Sequence, residues 1–175
     1  MTFNFTTFPI LKTERLILRE LSFDDLEAIY ELRSSEEINK LITRKTPQNL
    51  DDAKDFIITC HQEFKNENRI FWAIEFDDKL VGTIVYHRIA LENNYAEIGY
   101  ELNPKIQQKG IMSEAMKTVL EFGILQMNLK IIEAYTHKNN VASIALLEKY
   151  NFVFQTERRC KSVENNRIWK LEVRS

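Results

Sequence analysis

Three stretches of strand-like sequence follow one another with almost no room between them. Residues 69–76 (RIFWAIEF), 79–91 (KLVGTIVYHRIAL) and 95–103 (YAEIGYELN) are rich in β-branched and aromatic residues. Two aspartates separate the first pair of segments, and the turn-type sequence ENN separates the second pair. Strands joined by such short turns run in opposite directions. The sequence therefore predicts three strands, of which the first two form a tight hairpin and the third follows a further turn.

Segments with helical periodicity alternate with further strands on both sides of this run. Predicted helices cover residues 22–34, 50–67, 113–127 and 140–150, and further predicted strands cover residues 15–21, 130–137, 152–160 and 167–173. The order β α α β β β α β α β β is typical of a mixed sheet with helices on both faces. We therefore expect an α/β fold, formed by one domain over residues 1–175.

Charge and hydropathy exclude several classes of function. The 24 basic and 26 acidic residues give a net charge of −2, so no basic excess indicates nucleic-acid binding. No run approaches the ~18 apolar residues of a membrane-spanning helix. The N-terminus lacks the pattern of a secretory signal, and we expect a cytoplasmic protein. Its two cysteines, Cys60 and Cys160, are expected to be reduced thiols.

One of only four glycines in the chain, Gly110, lies between a predicted strand and a predicted helix. The first turn of a helix has unpaired N–H groups and a partial positive charge, which suit a phosphate group. Glycine allows close approach because it has no Cβ, and Lys109 adds a cationic side chain. The segment QQKGIM is thus a candidate phosphate cradle. A plain turn glycine is the alternative, and the patterns GxxxxGK[ST] and GxGxxG are both absent.

Three further segments carry a family resemblance. The sequence NNVASIALLEKYNF (139–152) resembles the second signature of the GNAT acetyltransferases, while KTERLILREL (12–21) and AEIGYELNP (96–104) resemble the RimJ/RimL-type branch of that superfamily. The resemblance implies an acetyl-CoA-dependent N-acetyltransferase. It also implies a GNAT-like mixed, mostly antiparallel sheet of six or seven strands, with about four helices on its two faces.

The superfamily's pyrophosphate motif, [QR]xxGx[GA], corresponds to residues 107–112. Gln107 and Gly110 match the motif, whereas Gln108 replaces a frequent second glycine and Met112 replaces the final small residue. The resemblance further implies that the pantetheine arm lies alongside the strand of residues 98–103. The expected cofactor-binding residues are Tyr100, Leu102, Gln107, Gln108, Lys109, Gly110, Ile111, Met112, Ser113, Asn140 and Ser143.

Transfer of an acetyl group from a thioester to an amine requires that the amine lose a proton. The resemblance implies that Glu97 is the base, acting through a water; a cross-strand ion pair is the alternative role for this residue. Glu101 faces the same side by strand alternation and is a weaker candidate. His87 or His137 could substitute for Glu97. The chemistry requires no metal, and we expect none.

The leaving thiolate must be protonated or stabilised. Many family members use a tyrosine seven residues after the signature asparagine, but Leu147 occupies that position here. Tyr150 is nearly one turn too far and is interpreted as a core aromatic residue. The sequence NVAS (140–143) resembles the NxxS pattern of the RimL-type branch. This resemblance makes Ser143 the candidate donor and Asn140 the candidate for holding the pantetheine or an ordered water. The alternatives are a helix serine bonded to its own backbone and a helix N-cap.

The acceptor pocket is expected between the first two helices and the hairpin strands. Candidate lining residues are Arg44, Trp72, Tyr86 and Glu97, although core packing is equally compatible with the two aromatic residues. The resemblance suggests a protein N-terminal α-amine as acceptor, as on a ribosomal protein; a small amine or antibiotic is the alternative. The missing tyrosine also leaves open a non-catalytic CoA-binding module. The sequence does not distinguish a monomer from a homodimer.

Overall fold

The computed structural model describes residues 3–174 and consists of one twisted sheet covered on both faces by helices. The eight strands have the order β1-β2-β3-β4-β5-β6-β8-β7 across the sheet. Their bounds are β1 Leu11–Lys12, β2 Leu16–Glu20, β3 Arg69–Phe76, β4 Lys79–Ala90, β5 Tyr95–Leu102, β6 Ile131–His137, β7 Val153–Phe154 and β8 Asn166–Glu172. The five α-helices are α1 Leu26–Ser34, α2 Glu36–Asn39, α3 Leu50–Lys65, α4 Ile111–Leu125 and α5 Val141–Lys149.

The predicted mixed, mostly antiparallel sheet is confirmed, because within residues 3–174 only β5 and β6 pair in parallel. The β3–β4 hairpin turns at Asp77 and Asp78, which both have positive φ (49° and 58°). Such a two-residue turn matches the twist of the strands that it joins. The prediction of six or seven strands was one short, since the two-residue strand β1 had no strand signal of its own. The predicted strand 152–160 shrinks to β7, and the one-turn helix α2 was not predicted.

Strand alternation divides the core into two layers. On one face of the sheet, Phe71 and Ala73 of β3 pack against Ile29 of α1 and Ile57 of α3. The larger cluster on the opposite face joins β3, β4 and β5 to α4 and α5, and includes Trp72, Ile84, Ile98, Met116 and Leu147. We call these the α1/α3 face and the α4/α5 face. Successive residues of a strand point to opposite faces, so each strand contributes to both layers.

Strand β5 is paired along its whole length on one edge and along half of it on the other. Antiparallel pairing with β4 runs from Tyr95 to Leu102. Parallel pairing with β6 covers only Tyr95–Ile98, opposite Ile131–Ala134. Beyond that point the two strands diverge, and within residues 3–174 nothing in the sheet pairs with that edge of β5. A gap therefore opens in the middle of the sheet.

Two further observations concern the described part of the chain. Both cysteines are free, as expected: Cys60 is buried and Cys160 is half-buried. None of the helices within residues 3–174 is long and apolar enough to cross a membrane.

Candidate active site in the gap between two strands

A cleft of about 670 Å³ fills the gap between β5 and β6 and reaches both faces of the sheet. Gly99 lines it at the point where the strands separate. The wall on the α4/α5 face includes Tyr100, Leu102, Asn140 and Ser143, and the wall on the α1/α3 face includes Arg33, Arg44, Phe71, Thr83, Val85 and Glu101. One continuous space therefore connects the two layers, and two molecules entering from opposite sides could meet within it.

The N-terminus of α4 forms one end of the cleft. Gly110 is the N-cap, with φ of 73°, and contributes no side chain to the cap. Its carbonyl accepts the N–H of Glu114 (3.0 Å), which leaves the N–H groups of Ile111, Met112 and Ser113 without intrahelical acceptors. A side chain at this φ would be strained, which explains the glycine. These groups fit a diphosphate, because the N–H groups and the helix dipole both favour an anion.

The loop before α4 brings most of the predicted motif to the cleft. Gln107, Gln108, Gly110, Ile111, Met112 and Ser113 all line it, whereas Lys109 does not. Gln108 itself has a left-handed conformation, with φ of 65°. The Lys109 carbonyl instead accepts a hydrogen bond from Arg15 Nη1 (3.0 Å), and Arg15 Nε bonds to Glu114 Oε2 (2.7 Å). Arg15 thus fixes the loop to the first turn of α4.

Two hydroxyl groups meet where the free half of β5 passes α5. Tyr100 Oη lies 2.7 Å from Ser143 Oγ, and either can donate. Ser143 is buried, and its hydroxyl is bonded to Tyr100 rather than to its own backbone. Burial raises the pKa of Tyr100 to about 12, although the bond to Ser143 acts in the opposite direction. The phenol is therefore protonated at neutral pH, and the pair can supply a proton.

Asn140 combines a structural position with a place on the cleft. Its Oδ1 accepts the N–H of Ser143 (3.1 Å), so it caps α5 as the alternative interpretation proposed. At the position of the missing tyrosine, Leu147 is fully buried. Tyr150 packs against the core as predicted, but its hydroxyl also donates to the Ser113 carbonyl (2.6 Å), and Lys149 Nζ donates to Ser113 Oγ (2.6 Å). The sequence analysis gave no indication of these contacts.

Glu101 lies on the α1/α3 face of the cleft between two arginines. Arg44 Nη1 lies 2.5 Å from Oε2, and Arg33 Nη1 lies 4.0 Å from Oε1. The Thr83 hydroxyl is also close, but within the described residues neither carboxylate oxygen accepts a well-aligned hydrogen bond. Burial raises the pKa of Glu101 above its ordinary value, against the opposing effect of Arg44 and Arg33.

Glu97 is buried on the same face but does not line the cleft. Arg88 Nη1 lies 3.3 Å from its Oε1. The Tyr95 hydroxyl lies 3.1 Å from Glu97 Oε1 and 3.2 Å from Glu133 Oε2, so it can donate to either carboxylate. Tyr135, which does line the cleft, donates to Glu133 Oε2 (3.2 Å). Glu97 is therefore connected to the cleft by a chain of hydrogen bonds.

The two histidines considered as substitutes for Glu97 also lie outside the cleft lining. Burial lowers the pKa of His87 to about 4, and the nearby Arg69 and Arg88 add to this effect. His87 is consequently neutral at pH 7 and a weak proton acceptor. His137 Nδ1 accepts the backbone N–H of Asn139 (3.1 Å) in the turn before α5, which is a structural contact.

Two aromatic residues expected in the acceptor pocket lie in the core instead. Trp72 and Tyr86 are both fully buried on the α4/α5 face. Trp72 Nε1 donates to the Pro9 carbonyl (2.7 Å), and the Tyr86 hydroxyl donates to the Val119 carbonyl (3.0 Å). The same strands supply Phe71 and Val85 to the cleft, since adjacent strand positions face opposite layers. The expected acceptor pocket therefore includes residues of β3 and β4, but Trp72 and Tyr86 point to the opposite face of the sheet.

The mixed sheet and the cleft between its parted strands have the arrangement expected for a GNAT-type acyltransferase. Residues 15–153 match the acetyltransferase (GNAT) domain family. The chain belongs to this family. YoaA of Bacillus subtilis (strain 168), named an uncharacterized N-acetyltransferase, is 35% identical over 147 residues that cover 83% of each chain. This similarity and the family match identify the chain as an N-acetyltransferase.

Solved structures show that the same fold occurs with coenzyme A bound. RimL, a ribosomal L7/L12 alpha-N-protein acetyltransferase in complex with coenzyme A, has a TM-score of 0.81 at 15% identity; the match covers 94% of this chain and 98% of RimL. The microcin C7 self-immunity acetyltransferase MccE, in complex with acetyl-CoA and AMP, has a TM-score of 0.78 at 22% identity and coverage of 92% and 94%. At these identities the likeness is one of fold alone.

Proposed function

We propose that this N-acetyltransferase uses acetyl-CoA as donor and acetylates the α-amine of a peptide N-terminus. The observation that carries the proposal is the free edge of β5 from Gly99 to Leu102, which leads directly to the glycine-capped N-terminus of α4. Unpaired strand groups suit the amides of a pantetheine arm, and unpaired helix N–H groups suit a diphosphate. The nearest alternative, a small amine or antibiotic as acceptor, uses the same donor site.

When bound, acetyl-CoA supplies the activated acetyl thioester. The residues of the chain then have three tasks. The free N–H groups of β5 orient the donor and stabilise charge on the carbonyl oxygen. Ser143 donates its hydroxyl proton to the departing sulfur as the C–S bond breaks and takes the Tyr100 hydroxyl proton in return. Tyr100 regains a proton from solvent before the next turnover. Asn140 holds the start of α5, and therefore Ser143, at the edge of the cleft.

The proton of the acceptor amine needs a route out of the cleft. Tyr135 can accept it while passing its own hydroxyl proton to Glu133, and Tyr95 connects Glu133 to Glu97. Glu97 thus keeps the proposed role of base, but it acts through side chains rather than by contact with the acceptor. This arrangement differs from the expectation of a single intervening water.

Binding of the donor is tested by thermal unfolding with and without acetyl-CoA. Ligand at about 100 times its Kd should stabilise the folded chain by about 2.7 kcal/mol. In Gly110→Ala, the residue is strained at positive φ and its methyl group lies against Arg15, so the loop that presents the helix N–H groups should shift and most of this stabilisation should be lost. Asn151→Ala is a matched control, because Asn151 also has positive φ (63°) but does not line the cleft. It should retain the full ligand-induced shift.

Transfer is tested by release of free CoA thiol with a panel of peptides that have free N-termini and of small amines. Turnover with peptides supports the full proposal, and turnover with small amines alone supports the alternative acceptor. Binding of acetyl-CoA without thiol release from any amine would instead indicate a non-catalytic CoA-binding module. An unchanged melting temperature at saturating acetyl-CoA would contradict the donor assignment.

A further inference from the structure

The end of the cleft on the α1/α3 face contains more positive than negative charge. Two guanidinium groups, of Arg33 and Arg44, face one carboxylate, that of Glu101. Their side chains are 17%, 11% and 4% exposed, respectively. Glu37 also lines the cleft, but its side chain is exposed. Buried charges are normally balanced, so this group of residues is short of one negative charge.

Both arginines are held in place by neighbouring elements. Arg44 Nε donates to Asn39 Oδ1 (2.9 Å), and Arg44 Nη2 donates to the Leu32 carbonyl (3.4 Å). The Arg33 guanidinium stacks on the Phe56 ring, 3.7 Å from its centroid. Burial lowers the pKa of Arg33 to about 10, and the charge of Arg44 adds to this effect. These two cations are thus preorganised, and the positive charge on Arg33 is incompletely compensated.

Glu101 is also incompletely satisfied. A buried carboxylate oxygen in a complete ion-pair network accepts well-aligned hydrogen bonds, yet neither oxygen of Glu101 has a well-aligned donor among the described residues, although Arg44 and Thr83 lie close to it. Oε2 has Arg44 at 2.5 Å, whereas the nearest cation to Oε1, Arg33 Nη1, is 4.0 Å away. In a purely structural cluster, Oε1 of Glu101 would have a hydrogen-bond donor and the excess positive charge would be balanced. Both features are explained if a ligand completes the site.

We propose that the acceptor carries a carboxylate close to its amine, the carboxylate binding to Arg33 and Arg44 while the amine donates to Glu101 Oε1. This inference rests on the proposed function and specifies its acceptor. Arginine forks match a carboxylate in two parallel hydrogen bonds. Glu101 follows Gly99 by two residues on the same strand face, about 7 Å along β5. The amine would therefore lie near the point where the cleft crosses the sheet.

Two kinds of acceptor have a carboxylate close to an amine. One is a free amino acid, through its α-carboxylate, and the other is a peptide N-terminus with an acidic first residue. A polycationic amine does not fit, because two buried guanidinium groups would repel it. The same positive charge favours loss of the amine proton, since a nearby cation lowers the pKa of an ammonium group.

The test compares acceptors that differ in one charge. C-terminally amidated peptides beginning with Asp or Asn are assayed for thiol release alongside free aspartate and spermidine. The Asp peptide, free aspartate or both should exceed the Asn peptide in kcat/KM by about 10- to 100-fold, the range of a charge-assisted hydrogen bond. The relative rates of the Asp peptide and free aspartate identify the source of the carboxylate.

Arg33→Gln should reduce the preference for Asp over Asn to within about threefold, because it removes the recognising charge. Arg159→Gln removes an equal charge from an exposed position outside the cleft and should keep the preference. Unchanged acetyl-CoA binding by calorimetry shows that each variant is folded. If Arg33→Gln does not fold, the inference is tested by the unaltered protein alone, through its kcat/KM values for the carboxylate acceptors relative to the Asn peptide.

Three results overturn the inference. Acetylation of the Asn peptide as efficiently as the carboxylate acceptors removes the carboxylate requirement but leaves the proposed function intact. Acetylation of spermidine with that efficiency also removes the carboxylate requirement, and without turnover of any peptide it supports the small-amine acceptor instead. Absence of thiol release with every amine, despite binding of acetyl-CoA, removes the proposed function and the inference together.

Discussion

The two halves of β5 differ in how completely they are bonded. The first half, Tyr95–Ile98, pairs with a strand on each edge, whereas the second half, Gly99–Leu102, pairs only with β4. Glu97 and Glu101 lie on the same face, one in each half. Glu97 has Tyr95 and Arg88 as hydrogen-bond partners, but Glu101 has no aligned donor within the described residues. Backbone groups and one side chain, that of Glu101, are thus left without full partners in the same four-residue segment.

The groups without partners mark the second half of β5 as a binding region, whereas the fully bonded first half is structural. Buried polar groups are costly without partners, and a fold that leaves several of them together needs something else to supply the partners. The first half of β5 supports the fold and connects Glu97 to Glu133. The second half presents Tyr100 to the donor side and Glu101 to the acceptor side, through the alternation of strand side chains.

The largest loss of activity is expected from a change in the hydroxyl pair of Ser143 and Tyr100, where Tyr100 belongs to the half of β5 that pairs only with β4. Ser143→Ala removes the proton donor and should lower kcat by about 100- to 1,000-fold, the range of general acid catalysis. Binding of acetyl-CoA, measured by calorimetry, should change by less than about threefold. Thr59→Ala, which removes an exposed helix hydroxyl bonded to its own backbone, should have no effect. Equal losses in kcat and binding would assign Ser143 to donor positioning instead.

The part of the site that contains Gly110, Asn140 and Ser143 could be predicted from local sequence. Gly110 lies at the predicted turn between a strand and a helix, where it is the N-cap of α4. Asn140 and Ser143 lie one turn apart on the cleft wall. These residues are close in sequence to the turns and helix ends that position them. Short-range patterns determine such features, and the resemblance added their chemical role.

The acceptor side depends on contacts that the sequence alone does not show. Whether Trp72 or Phe71 reaches the cleft depends on the face to which each strand position points, which neighbouring elements decide. Arg33 lies within the predicted helix 22–34, and no motif marked it as a site residue. It joins Glu101 through packing between residues 68 positions apart in the chain. The charge excess at this end of the cleft became visible only from the tertiary structure.

Smaller effects on activity are expected at Glu97 and Glu101, and the two substitutions should change different kinetic parameters. Glu97→Gln interrupts the proton route and should lower kcat by about 10- to 100-fold, with little change in the KM for the acceptor. Glu101→Gln removes a binding contact and should mainly raise that KM. Glu92→Gln, at an exposed position beside β5, serves as the control. The reverse assignment, with kcat sensitive only to Glu101, would make Glu101 the base.

The smallest effect concerns stability and its dependence on pH. Hydrogen bonds from Arg158, Tyr95 and Tyr135 help to hold the pKa of Glu133 below its ordinary value, although burial opposes them. A lowered pKa in the folded state gives stability that is fully present above the unfolded value of about 4.3 and is lost as the pH falls through the folded value. Glu133→Gln should therefore cost about 1–2 kcal/mol at pH 7, and progressively less below pH 4.

Glu101 should behave in the opposite way, because its pKa is raised in the folded state. Its contribution is fully present below the unfolded pKa and is lost as the pH rises through the folded value. Urea unfolding of the unaltered chain, Glu133→Gln and Glu101→Gln between pH 3.5 and pH 8 compares the two slopes. Glu172→Gln, which removes an exposed pair with Lys170, should follow the unaltered chain. Parallel slopes would contradict the distinction between the bonded network that Tyr95, in the first half of β5, forms with Glu133 of β6 and the open half of β5 that contains Glu101. A carboxylate whose buried charge is fully paired in the free protein would not need an acceptor to complete its site.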